Sequence, residues 1–115
     1  MGLFREPGSQ EIDIVKEMAE ALGGQGLKLE ELLEKADAAS AKVNQLVNDY
    51  RSSAELRKPD VATINQHILE FNALVDKSED ALRWLLIQRE ACGFRTHRNV
   101  NVFYPIPRKM KPFNP

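Results

Sequence analysis

The chain has 115 residues, 43% apolar and 29% charged, with a net charge of −1; this is the size of one domain with a modest core, and the composition excludes wholesale disorder. Its longest unbroken apolar run is Trp84–Ile87, against roughly 20 residues for a transmembrane helix, and Met1–Gln10 lacks the apolar stretch of a secretory signal. A single cysteine closes no internal disulfide, so the expectation is a cytoplasmic protein with no membrane partner.

Met1–Gly8 contains Pro7-Gly8 and no periodicity, which predicts a loose terminus. Ser9 suits a helix cap, and Glu11 and Asp13 fall in the first turn, where carboxylates complement the helix dipole. Ile12, Val15, Ala19 and Leu22 then form one stripe. Gly23-Gly24 predicts a stop, because glycine readily takes the left-handed conformation that closes a helix, and Gln25-Gly26 would complete the turn. The first predicted helix is therefore Ser9–Leu22.

A second helix is predicted over Leu27–Arg51, with Leu29, Leu32, Ala36, Ala39, Val43, Leu46 and Tyr50 in steps of three and four. The stretch Ser52–Pro59 interrupts that seam. Pro59-Asp60 reads as the start of a third helix over Asp60–Ala91, carrying Val61, Ile64, Ile68, Phe71, Val75, Ser78, Leu82 and Leu85 in the same rhythm, with Gly93 as its stop. Such stripes bury when two helices lie side by side. The expected fold is all-α: a three-helix arrangement dominated by a long antiparallel, coiled-coil-like hairpin. The first helix should fold back beside the other two, because Ala81, Leu82, Trp84, Leu85, Leu86 and Ile87 wrap most of the third helix and ask for a second neighbour. Trp84 and Ile87 are accordingly expected under the first helix or a second chain.

Residues 94–115 differ from the helical domain at 1–93. The domain holds 11 Lys/Arg and all 17 Asp/Glu, whereas the C-terminal arm holds Arg95, Arg98, Arg108, Lys109 and Lys111 with no acid. Asn99–Tyr104 alternates in steps of two and predicts an extended segment, and Pro105, Pro107 and Pro112 favour polyproline-type backbone after it. An acidic body beside a basic arm invites docking, with Val100, Val102 and Tyr104 as its apolar edge. The residues expected to carry interactions are Trp84, Ile87, Arg95, Arg98, Val100, Val102, Tyr104, Arg108, Lys109 and Lys111.

Catalytic chemistry has little support. Cys92 and His97 form a Cys-x4-His pair, but a closed zinc site needs four ligands, and His67 lies about 37 Å away if both ends belong to one helix. Cys92 falls at a helix C-terminus, where the dipole opposes a thiolate. Glu30, Glu31, Glu34 and Asp37 read as acids serving the dipole and solubility. Asn44, Gln45, Asn48, Asn65, Gln66, His67 and Asn72 gather near the loop end of the hairpin; a ligand-binding or register-setting amide cluster competes there with the plainer reading of a solvated face. No catalytic, cofactor or metal site is expected. The function implied is a small non-enzymatic protein–protein interaction module, adaptor or chaperone-like, acting as a homo-oligomer or with a protein partner. The alternative is a nucleic-acid-associated accessory protein binding through the basic arm.

Overall fold

The computed structural model describes residues 9–52 and 58–115, giving the backbone alone for helical residues 9–19, 21, 98 and 99. The expected loose terminus Met1–Gly8 and the centre of the interhelical segment, 53–57, lie outside the described residues. The described residues form three helices: α1 (Ser9–Ser52), α2 (Val61–Ala91) and the short α3 (Arg98–Phe103). Among the described residues there are no strands. The molecule is a rod of 77 × 22 × 17 Å.

The seams do what their spacing requires. Leu29, Ala36, Val43 and Leu46 of α1 are buried against Ile64, Ile68, Phe71, Val75, Ala81 and Leu85 of α2. Val43 and Leu46 cluster with Ile64 and Ile68, Ala36 with Phe71 and Val75, and Leu29 with Ala81 and Leu85. One number rises along this series as the other falls, so α1 and α2 are antiparallel. Ser78 sits fully buried in the seam because its hydroxyl donates to Leu74 O at 2.8 Å. Near the far end the stripe drifts by one residue: Ala81 is buried while Leu82 is half-buried.

The expected division of the first two helices is corrected. Helix α1 runs unbroken for 44 residues, and among the described residues only Gly93 has a positive-φ glycine conformation. Gly23, Gly24 and Gly26 are helical. Each weakens the helix by about 1 kcal/mol relative to alanine, but propagation from a packed helix on the C-terminal side is cooperative. The first helix therefore does not fold back, and residues 9–19 continue past the level of Ala91 for about 16 Å at 1.5 Å per residue. The side chains of the expected stripe Ile12, Val15 and Ala19 lie outside the described ones.

Both ends of α2 have identifiable stops. Asp60 caps its start, its carboxylate accepting from Thr63 N at 2.7 Å. That bond favours the ionised form, and the Asp60 pKa lies below the ordinary carboxylate value. At the other end, Gly93 (φ 96°) closes a Schellman turn, with Phe94 N donating to Arg89 O at 2.9 Å and Gly93 N to Glu90 O at 3.0 Å.

Candidate functional site

Beyond Gly93 the chain reverses and runs back along the hairpin. Arg89 organises the reversal: its Nε donates to His97 Nδ1 at 3.2 Å, an Nη donates to Thr96 O at 3.1 Å, and its guanidinium lies 4.6 Å from the centre of the Phe94 ring. With Nδ1 accepting, the imidazole proton sits on Nε2, 3.2 Å from Glu90 Oε1. Both ring nitrogens of His97 are thus engaged. Cys92 is half-buried at the helix end, and among the described residues no group of three His, Cys, Asp or Glu side chains is placed to hold a metal ion.

The segment expected to be extended at Asn99–Tyr104 is instead largely helical. Val100 and Tyr104 stand one helical turn apart and face inward together; the Tyr104 N–H donates to Val100 O at 2.9 Å. Val100 is 6% exposed and joins the Leu29–Ala81–Leu85 cluster. Val102, expected on the same apolar edge, is 73% exposed. A period of two would need a partner strand, and the hairpin offers an apolar helical surface instead.

Tyr104 explains one of the glycines. Its hydroxyl lies 2.9 Å from where a Cβ of Gly26 would stand, whereas nothing comes within 4 Å of the corresponding points on Gly23 and Gly24. Gly26 is the opening in α1 through which the tyrosine seats.

After Tyr104 the arm lacks regular secondary structure to Pro115 and lies in the channel between α1 and α2. Ile106 packs on the Ala36–Phe71–Val75 cluster, Met110 on that cluster and on Val43–Leu46–Ile64–Ile68, and Phe113 on the latter. The Phe113 ring meets Tyr50 edge-on, with centroids 5.2 Å apart. Two asparagines hold the main chain. Asn72 Nδ2 donates to Met110 O at 2.9 Å while Met110 N donates to Asn72 Oδ1 at 2.8 Å. Asn65 repeats the arrangement on Phe113, donating to its carbonyl at 3.3 Å and accepting from its N–H at 2.6 Å.

The repeat follows from two periods. Seven residues of α-helix rise about 10.5 Å. Three residues of extended or polyproline-type chain span about 9–10 Å. Asparagines at 65 and 72 therefore reach residues 113 and 110 with the same geometry. Lys109 adds an ion pair with Asp76, which raises its pKa through the hydrogen bond and the attraction, with Glu79 adding a further pull.

Of the other expected interaction residues, Trp84 is 52% exposed and Ile87 is exposed beside it, since no folded-back helix covers them. Arg95, Arg108 and Lys111 are exposed; Arg98 lies in α3, with its side chain outside the described ones. The residues that the expected site omitted are Asn65, Asn72, Asp76, Ile106, Met110 and Phe113. Asn65 and Asn72 were visible as part of an amide cluster, but their other members Asn44, Gln45, Asn48 and Gln66 are exposed, and His67 is half-buried.

An open groove of about 450 Å³ remains beside the arm, between Glu30, Glu34 and Asp37 of α1 and Phe103, Tyr104, Pro105 and Pro107. No helix among the described residues is long and apolar enough to cross a membrane. Protein-family models, characterised proteins and solved structures were compared with the chain, and none matches.

Proposed function

We propose that this protein is a small, non-enzymatic interaction module whose hairpin holds extended polypeptide. The observation that carries the proposal is the paired asparagine grip on the Met110 and Phe113 main chain. Side-chain amides that satisfy both the N–H and the C=O of a residue read backbone, a chemistry suited to binding polypeptide and not to turning over a substrate. A cytoplasmic, adaptor-like or chaperone-like setting belongs to the same proposal, as does a homo-oligomer in which a second copy covers Trp84 and Ile87. Selection from an unbiased peptide library on the full chain carrying Met110→Pro/Phe113→Pro, which frees both asparagines, tests the reading. Peptides should be enriched by that chain and lost when Asn65→Ala/Asn72→Ala is added; no enrichment would defeat it.

One observation favours the nucleic-acid alternative. Lys58 Nζ lies 4.2 Å from the centre of the Tyr50 ring and the Arg51 guanidinium 5.8 Å from that of Phe113, with Lys111 exposed two residues away. These cations gather at one end of the rod, yet both rings are half-buried against each other and offer little face for base stacking. If Arg51, Lys58 and Lys111 contact phosphates, affinity for a single-stranded oligonucleotide should fall with log salt with a slope of about −2.

A further inference from the structure

The α1–α2 channel has the properties of a peptide site that is already occupied. Its two asparagines make no demand on the side chains of Met110 and Phe113, only on their N–H and C=O groups. The prolines of the arm, at 105, 107, 112 and 115, flank the two residues whose N–H groups are gripped, 110 and 113, and coincide with neither. Prolines there favour an extended chain without removing a gripped donor. Sequence preference comes from three side-chain contacts: Asp76 on Lys109, the junction of two core clusters on Met110, and the edge of Tyr50 on Phe113.

The hold on this segment also differs in burial from the hold on α3. Ile106, Met110 and Phe113 are each only half-buried, while Val100 just upstream is part of the core.

Resting on the interaction-module reading, we propose that this channel binds an extended basic segment of a partner protein, and that the arm is its displaceable occupant in cis. The recognised chemistry is a cation, a flexible apolar residue directly after it, and an aromatic residue three positions further on. Charge complementarity supports a basic ligand: the helical domain carries 17 acids against 11 bases, and Asp76 meets the cation directly. An attached arm competes at an effective concentration on the order of millimolar. A partner therefore binds weakly until the arm is released, its apparent affinity reduced by the fraction of channels that stand open.

The test uses the full chain and a fluorescein-labelled peptide of residues 104–115, followed by anisotropy. Met110→Pro/Phe113→Pro in the protein removes both gripped N–H groups and the two side-chain contacts of the arm while leaving every hairpin residue unchanged, and helicity by circular dichroism verifies the fold. This variant should bind the wild-type peptide at least about tenfold tighter than the wild-type chain does. Adding Asn65→Ala/Asn72→Ala should abolish the gain, and a peptide with Glu in place of Lys109 should bind several-fold more weakly. Equal binding by the wild type and the proline variant, or a gain that survives loss of both asparagines, would overturn the proposal. A concentration-dependent wild-type dimer that the proline variant does not form would also overturn it, assigning the channel to the arm of a second copy. The interaction-module reading fails separately, if the peptide library yields nothing that depends on the asparagines.

Discussion

The α1–α2 seam and the channel that holds the arm are neighbouring surfaces of the same hairpin, held by different forces. In the seam, Leu29, Ile64, Phe71 and Val75 are completely or almost completely removed from water, and their shapes determine what fits. In the channel, three half-buried side chains sit beside four hydrogen bonds between asparagine amides and main chain. A surface of the first kind makes a permanent fold. The second kind can exchange one segment for another, because most chains present the same N–H and C=O.

The comparison is broken most severely at Phe71. Its truncation to alanine removes a ring shared by the seam and the floor of the channel, and should cost about 3–5 kcal/mol in denaturant unfolding. Phe113→Ala, made in the arm, should cost less than about 2 kcal/mol, since the ring there is only half-buried. Equal losses would mean that arm and seam form one cooperative core.

Asn72→Ala and Asn65→Ala sharpen it further. Each removes two hydrogen bonds to groups that water can partly satisfy, so each should lower stability by about 1 kcal/mol. Backbone amide exchange at Met110 and Phe113 should rise while the seam amides stay protected. If exchange in the arm is unchanged, the amide grip is incidental.

The glycines probe where the arm's anchor reaches the hairpin. Gly23→Ala and Gly24→Ala should each stabilise the protein by about 0.5–1 kcal/mol, because both are helical and nothing is within reach of the added methyl. Gly26→Ala should show no such gain, since its Cβ would meet the Tyr104 hydroxyl. Destabilisation at all three positions would restore the turn that the sequence suggests.

The smallest effects are electrostatic and have opposite pH dependence. Lys109 has a raised pKa in the folded state, so its contribution is complete below the unfolded lysine value and is lost as pH rises through the folded one. Asp60 has a lowered pKa, so its contribution is present above the unfolded carboxylate value and is lost as pH falls through the folded one. Lys109→Met should remove an alkaline loosening of the arm, and Asp60→Asn an acid fraying of the α2 start, both visible in amide shifts across a pH titration. Both groups are exposed, so solvent screening keeps these changes small.

The hairpin was legible because a three-and-four stripe has one economical burial, and Val43, Leu46, Ile68 and Phe71 are all in it. The start of α2 beside Pro59-Asp60 and its stop at Gly93 were legible because the signals lie within five residues of the helix ends, although Asp60 proves to be the cap and not the first helical residue. Gly26 misled because glycine marks both a turn and a close approach, and Tyr104 stands 78 positions away, while no close approach accounts for Gly23 or Gly24. Val100, Val102 and Tyr104 misled because a short alternation contains an i, i+4 pair, so the same residues suit a strand edge or one helical turn. Asn65 and Asn72 share a heptad spacing that only acquires meaning once a three-residue period lies opposite.

Sequence alone determined the all-α class, the antiparallel pairing of two long seams and the contrast between an acidic body and a basic arm, because periodicity and charge are properties of neighbouring residues. Tertiary structure decided that α1 runs through its glycines, that α3 is helical, and that Asn65 and Asn72 hold Met110 and Phe113. The asparagine grip depends on contacts spanning 38 and 48 positions and α3 on the seat of Val100 among Leu29, Ala81 and Leu85, while the packed part of α1 carries its helix through the glycines. In each case packing or cooperativity outweighs the roughly 1 kcal/mol differences of local propensity.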